Sequence, residues 1–368
     1  MNMERITCGV KNNQLIKDSK ILFVNNFLQG GIKEFGVNLS KQFNKVKTSI
    51  EYTEMIPNWN GLFGIFKLLL SRRGNYIVYN IGFTSFGNSH LRNFLHFLFI
   101  YMLSNMSYDI RLILHDSPEI MEKDMTIQSL NRLVVYVSKL IILLLRKTKI
   151  FVVSVRMKKL LENRYNLYNV KYYPFPCDST VEHCTFDDGP KVVFTIGHIL
   201  PYKGYEILSE IKEINNELEL VCIGDKSSSL KNDRKYTQYY ENLKWKLIRG
   251  GVKLTGYLET SEVQNLLCMS RPIGLLPYRS MSGSSASAAF FVERNIPIIT
   301  SDLDEFIKLR ELGACVFPVR RDASEFSDII RQLFENEDIM KQSLLADSQY
   351  CEKYNYLNLL RLLISNEL

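Results

Sequence analysis

The string Phe194-Thr195-Ile196-Gly197-His198-Ile199-Leu200-Pro201-Tyr202-Lys203-Gly204 sets an imidazole and an ammonium five positions apart, between a β-rich run and a helical pattern. Two potential cations beside a helix N-terminus can clamp a pyrophosphate, with the helix dipole adding to their charge. A second cradle of this kind is Pro277-Tyr278-Arg279-Ser280-Met281-Ser282-Gly283-Ser284-Ser285, where serines and a glycine open a small-residue helix. Such a start supplies N-caps and free N–H groups to an anion. Earlier, Asn25-Asn26-Phe27-Leu28-Gln29-Gly30-Gly31 joins a strand to a helix through paired glycines, which let backbone come close to a ligand. His115 closes the run Leu112-Ile113-Leu114 at the strand edge beyond which open α/β sheets bind ligands. A histidine there can hydrogen-bond a sugar hydroxyl or support developing charge. No G-x-G-x-x-G stands in the chain, which takes away the main support for a nicotinamide or flavin site. No acidic cluster stands out as a metal site, and neither metal nor cofactor is expected.

Positioning these groups requires strand ends that meet, and the pattern supplies them twice. In the first half, β-rich runs fall at 20–25, 76–81, 110–115, 150–154 and 170–174. Between them lie helical patterns such as Ile32, Phe35, Leu39 and Phe43, spaced three or four apart. In the second half the runs are 192–196, 218–223, 252–255, 273–276, 296–300 and 314–317. Strand–helix alternation at this spacing implies parallel sheets with helices on both faces. The expected fold class is therefore α/β, with two Rossmann-like domains facing a central cleft. The expected domains are residues 1–176 and 190–349, separated by a turn- and proline-rich stretch at 174–190. A C-terminal helix near 350–368 is expected to pack back onto the first.

The chain has 368 residues, 46% hydrophobic and 23% charged, the balance of an ordinary globular protein. Its charge is uneven. Residues 1–185 hold 24 Lys and Arg against 13 Asp and Glu, a net of +11; the rest hold 22 against 26, a net of −4. A basic half suggests an anionic partner: nucleic acid, a phospholipid surface or a phosphorylated substrate. The aromatics form no evident stacking motif, so nucleic acid is not expected. Two apolar stretches, 91–103 and 133–145, are too short to span a hydrocarbon core of about 30 Å. They read as core helices or as amphipathic elements on a membrane surface, and the cations Lys139, Arg146, Lys147 and Lys149 favour the second. The seven cysteines form no Cys-x-x-Cys pair, and the first residues lack a signal-peptide pattern. A cytoplasmic location is expected, peripheral on the inner face of the cell membrane.

The string from Gly197 to Gly204 resembles the G-R/H-x-x-x-x-K-G signature of family 4 glycosyltransferases, retaining enzymes with the GT-B fold. The resemblance extends to Pro277-Tyr278-Arg279 with its Ser-Gly cluster, to Ile296-Pro297-Ile298-Ile299-Thr300-Ser301-Asp302 and to Gly313-Ala314. Looser counterparts are Gly30-Gly31, His115-Asp116, Val153-Ser154 and Pro174-Phe175-Pro176-Cys177-Asp178. It implies a nucleotide-diphosphate-sugar donor on the second domain and a glycan or lipid-linked acceptor on the first. His198 and Lys203 would then hold the donor pyrophosphate, Gly31 would lie near the reacting sugar, and His115 would face its hydroxyls. Gly30, Gly197, Arg279, Ser282, Gly283, Ser284 and Ser285 complete the implied donor site. Many members carry a Glu-x7-Glu motif; counting back from Pro297 puts Ser282 and Phe290 there, and Asn295 replaces a usual glycine. Glu293 and Glu305 are the fallback candidates for the ribose contact. The implied function is hexosyl transfer without a metal, in the building of a bacterial surface polysaccharide such as lipopolysaccharide O-antigen, capsule or exopolysaccharide. Competing readings are a GT-B sugar-nucleotide epimerase or hydrolase, and a catalytically silent partner-binding subunit.

Overall fold

Strands that are apolar on both faces need cover on both faces, and that requirement shapes each half of this chain. The computed structural model describes residues 21–26, 31–46, 48–55, 58–70, 76–82, 90–106, 108–115, 140–141, 144–178, 189–227, 230, 232–281 and 283–365. Gly30, Asp116, Ser282 and most of the apolar stretch 133–145 lie outside the described residues.

The first sheet contains β1 (Ile21–Asn26), β2 (Ile50–Met55), β3 (Tyr76–Ile81), β4 (Asp109–Leu114), β5 (Lys149–Val152) and β6 (Val170–Tyr172). The order is β2-β1-β3-β4-β5-β6, every pair parallel. Side chains alternate between two cores. Leu22, Val24, Ile77, Tyr79, Leu112 and Leu114 pack on Phe97, Ile100 and Leu103 of α3 (His90–Asn105). Ile21, Phe23, Tyr76, Val78 and Ile113 pack on Phe35 and Leu39 of α1 (Gly31–Ser40). Two further helices are α2 (Trp59–Leu70), packed on α3, and α4 (Val155–Tyr165). Strand β2 was not expected from the sequence. It is an edge strand whose apolar residues are interrupted by Glu51, Thr53 and Glu54, so it lacks the continuous apolar run that marks its neighbours.

The second sheet has the order β12-β11-β10-β7-β8-β9, again wholly parallel. Its strands are β7 (Lys191–Ile196), β8 (Glu219–Ile223), β9 (Lys253–Gly256), β10 (Arg271–Leu276), β11 (Ile298–Ser301) and β12 (Val316–Val319). Its helices are α5 (Ile207–Ile214), α6 (Arg234–Arg249), α7 (Thr260–Cys268), α8 (Ala286–Val292), α9 (Asp304–Glu311), α10 (Ala323–Glu335) and α11 (Glu337–Lys353). The last helix, α12 (Tyr356–Ile364), leaves this lobe: Tyr356, Leu359, Leu360, Leu363 and Ile364 are buried in the first lobe beside Phe23 and Phe35.

The strand orders locate the ligand-binding edges. In the first sheet the chain runs from β1 to β2 on one side, then crosses to β3 on the other. In the second it runs β7, β8, β9 on one side, then crosses to β10. Such switch points open a crevice at the carboxyl ends of the strands. The crevices therefore lie beyond β1 and β3 in one lobe and beyond β7 and β10 in the other.

Candidate active site

At the second switch point, β7 runs out at Ile196 and Gly197 turns the chain at φ +114. A Cβ on Gly197 would stand 2.5 Å from Lys203 Nζ, so only glycine lets the ammonium lie against the strand end. A short turn, Pro201–Lys203, brings the lysine back and closes on Gly204 at φ +68. A Cβ there would strike Pro277 O, beyond β10, at 2.3 Å. Gly197 is thus dictated by the lysine of its own loop, and Gly204 by the loop beyond β10.

Lys203 is 7% exposed. Its Nζ makes long contacts, 3.5 Å to Ile196 O and 3.5 Å to Ser287 Oγ, and lies 5.3 Å from the ring centroid of Tyr278. No carboxylate pairs with it among the described residues. Burial alone disfavours its charge, but the phenols of Tyr205, Tyr278 and Tyr202 more than offset this and raise its pKa. The site therefore holds a buried lysine with no carboxylate partner among the described residues. His198 stands exposed on the next residue after Gly197, close enough to Asp225 to help lower that carboxyl's pKa, after the larger effect of the Tyr240 hydrogen bond.

The serine loop connects this point to the other lobe. Ser285 caps α8, its Oγ accepting from Ala288 N at 3.1 Å, and Ser287 Oγ donates to Ile196 O at 2.9 Å. Gly283 comes so close to the first lobe that a Cβ there would lie 3.3 Å from His115 O. Ser284 lines a narrow gap between the lobes with Tyr172, Phe175 and Met281. Lys203, Gly197, the serine loop and His115 are thus gathered around one cleft, and Gly31 opens α1 on the first lobe's side of it.

Arg279 and Glu305 take other partners. Arg279 Nη2 pairs with Glu206 Oε1 at 2.5 Å, and Arg321 binds the same oxygen. Glu305, nearly buried on α9, accepts from Ser154 Oγ (2.5 Å), Arg156 N (3.1 Å) and Val155 N (2.8 Å). Its carboxylate occupies the N-terminus of α4 and clasps one lobe to the other, with Lys159–Asp304 alongside at 2.7 Å. Sequence reading missed this clasp because its halves lie about 150 residues apart.

Glu293 holds the chain between the lobes, its Oε1 accepting from Asp178 N at 2.7 Å. Burial pushes its carboxyl from 4.5 to about 7, against the pull of that N–H and of Arg294. Between those pH values the folded chain binds more protons than the unfolded one, so this group's contribution to stability is lost as pH rises toward 7 and is flat above it. Glu293→Gln keeps the acceptor and removes the charge. Its melting temperature should match the wild type near pH 4.5 and exceed it increasingly up to about pH 7, then by a constant margin equivalent to roughly 1–3 kcal/mol. A margin that does not change with pH in a fluorimetric series would refute the assignment.

Among the described residues no group of three or more His, Cys, Asp or Glu side chains could hold a metal ion, and no helix is long and apolar enough to cross a membrane.

No protein-family model and no curated protein matches the sequence. Solved structures do match the fold. Sucrose-phosphate synthase from Thermosynechococcus elongatus superposes with a TM-score of 0.70 at 10% identity, over 94% of this chain and 97% of that one. HepE of Anabaena, in complex with UDP-glucose, gives 0.65 at 12% identity over 94% and 98%. The lipopolysaccharide outer core galactosyltransferase WaaB gives 0.58 at 14% identity over 93% and 97%. The fold is the two-domain, Rossmann-like α/β architecture of GT-B proteins.

Proposed function

We propose that this chain is a retaining glycosyltransferase that moves a hexosyl group from a nucleotide-diphosphate sugar to a glycan or lipid-linked acceptor at an anionic membrane surface. The product would belong to a bacterial surface polysaccharide. The observation that carries the reading is Lys203: a buried lysine without a carboxylate partner among the described residues, at the switch point where an α/β sheet binds ligands. Such a charge costs several kcal/mol to bury, and a diphosphate would supply the missing partner. As the sugar leaves, negative charge grows on the diphosphate; in this reading Lys203 and His198 lower that barrier without a metal. The departing phosphate takes the acceptor proton in this reading, and His115 faces the sugar hydroxyls. The membrane component draws on Trp59 and Phe63 of α2, on Leu91 and Met102 of α3 and on Met106 just after it, all exposed on the basic lobe.

The test is a calorimetric titration with UDP, GDP and ADP, followed by incubation of the matching sugar nucleotide with glycolipid in anionic vesicles. One diphosphate should bind, and sugar should pass into the lipid fraction. Donor consumed without incorporation would favour an epimerase or hydrolase, and no binding of any diphosphate would sink the reading.

A further inference from the structure

The first lobe's switch point contains two buried asparagines, Asn25 at the end of β1 and Asn80 at the end of β3, where the strands otherwise bury apolar residues. Their amides are not free to flip. Asn80 Nδ2 lies 2.7 Å from Ile32 O, a main-chain carbonyl that can only accept, so that atom is the nitrogen. The same Nδ2 donates its other proton to Asn25 Oδ1 at 2.7 Å. Asn25 is fixed likewise, its Nδ2 donating to Lys33 O at 3.2 Å and to Tyr52 OH at 2.9 Å. What remains of Asn80 is Oδ1, and it stands 2.6 Å from His115 Nε2. An amide oxygen only accepts, so Nε2 must carry the proton.

We infer that Asn80, oriented by Asn25 and the first turn of α1, is a positioning residue that locks His115 in the Nε2–H tautomer and leaves its Nδ1 as a bare acceptor for a substrate hydroxyl. Nδ1 makes no hydrogen bond among the described residues. The ring is held edge-on against Phe35 of α1, with centroids 4.7 Å apart, so α1 fixes both the tautomer and the orientation. Burial pulls the imidazole down to about 3, and no charged group among the described residues acts on it. It is therefore neutral at physiological pH, and its bare Nδ1 is suited to accepting a hydrogen bond from a hydroxyl. Gly36 is part of the device: a Cβ there would stand 1.9 Å from Asn25 Oδ1, so α1 can seat the amide only with glycine at that turn. The hydroxyl as ligand rests on the glycosyltransferase reading, whereas the tautomer does not.

Long-range 1H–15N correlation spectra of the 15N-histidine-labelled full chain test it, with His115→Gln assigning the resonance. Wild-type His115 should show the Nε2–H pattern unchanged from pH 5 to 8. In Asn80→Leu it should populate both tautomers, and turnover of the matching sugar nucleotide should fall about tenfold with affinity for UDP, GDP and ADP unaltered. Asn80→Asp, which restores an acceptor and adds a charge, should keep Nε2–H and bring the titration above pH 5. An Nδ1–H or doubly protonated His115 in the wild type at pH 7, or an unchanged tautomer in Asn80→Leu, would overturn the inference. A chain that binds no diphosphate would remove the glycosyltransferase reading, while these spectra would still decide the tautomer.

Discussion

Lys203→Met is expected to make the protein more stable and nearly inactive at once. Methionine fills the same slot beneath Gly197 and between Tyr205 and Tyr278, so packing changes little. The substitution removes a buried charge that has no carboxylate partner among the described residues and two polar contacts at 3.5 Å, and replacing such a charge by an apolar side chain is often neutral or stabilising by about 1–4 kcal/mol. Loss of a charge-assisted contact to the diphosphate should cost roughly 1.5–3 kcal/mol in transfer, about ten- to a hundredfold in rate. Diphosphate affinity should fall with it. A melting curve and a titration on the same preparation check both arms. A variant that melts lower and still turns over donor normally would mean that Lys203 is a structural residue, held by its tyrosines and nothing else.

The same lysine shows how far the sequence carries. His198 and Lys203 could be read as a pair because both belong to one eleven-residue string, and local spacing is visible in sequence. The alternation of apolar runs likewise disclosed the two parallel sheets, since strands buried on both faces leave continuous signals. Strand β2 left none, being half exposed at the edge. The clasp of Glu305 on α4 and the Asn80–His115 relay were hidden for a different reason. Each joins residues far apart in the chain, and an isolated asparagine ending an apolar run carries no period. Only parallel pairing of β1 with β3, Asn25 opposite Asn80, turns two unremarkable residues into a network. Glu305 illustrates the converse: its type and position fitted a ligand contact, but the helix N-terminus opposite it satisfies both oxygens.

Arg111→Leu should produce the largest loss of stability. Arg111 is fully buried, and its Nη1 donates to Leu363 O at 2.6 Å and Ser365 O at 2.7 Å, at the end of α12. The last carbonyls of a helix have no partners within it, and here they are buried against the first lobe, where water does not replace them. Tyr76 adds its hydroxyl to Leu363 O and its ring under the guanidinium, 4.2 Å from the centroid. Removing the guanidinium leaves these acceptors short of donors, a cost of about 3–5 kcal/mol by analogy with broken buried ion pairs. The consequence should reach the cleft. The chain crosses between lobes twice at one place, where Cys177 N donates to Tyr354 O at 2.9 Å just ahead of α12. Tyr350 and Cys351 of α11 belong to the second lobe's core, and Tyr356 to the first. Freeing α12 therefore loosens the second crossing, and with it the spacing between His115 and Gly283. Hydrogen exchange of residues 356–364 should rise by orders of magnitude in Arg111→Leu and by less in Arg111→Lys, which retains one donor group. Unchanged protection in both would show that apolar burial alone holds α12, and that Arg111 contributes nothing to how the lobes are set.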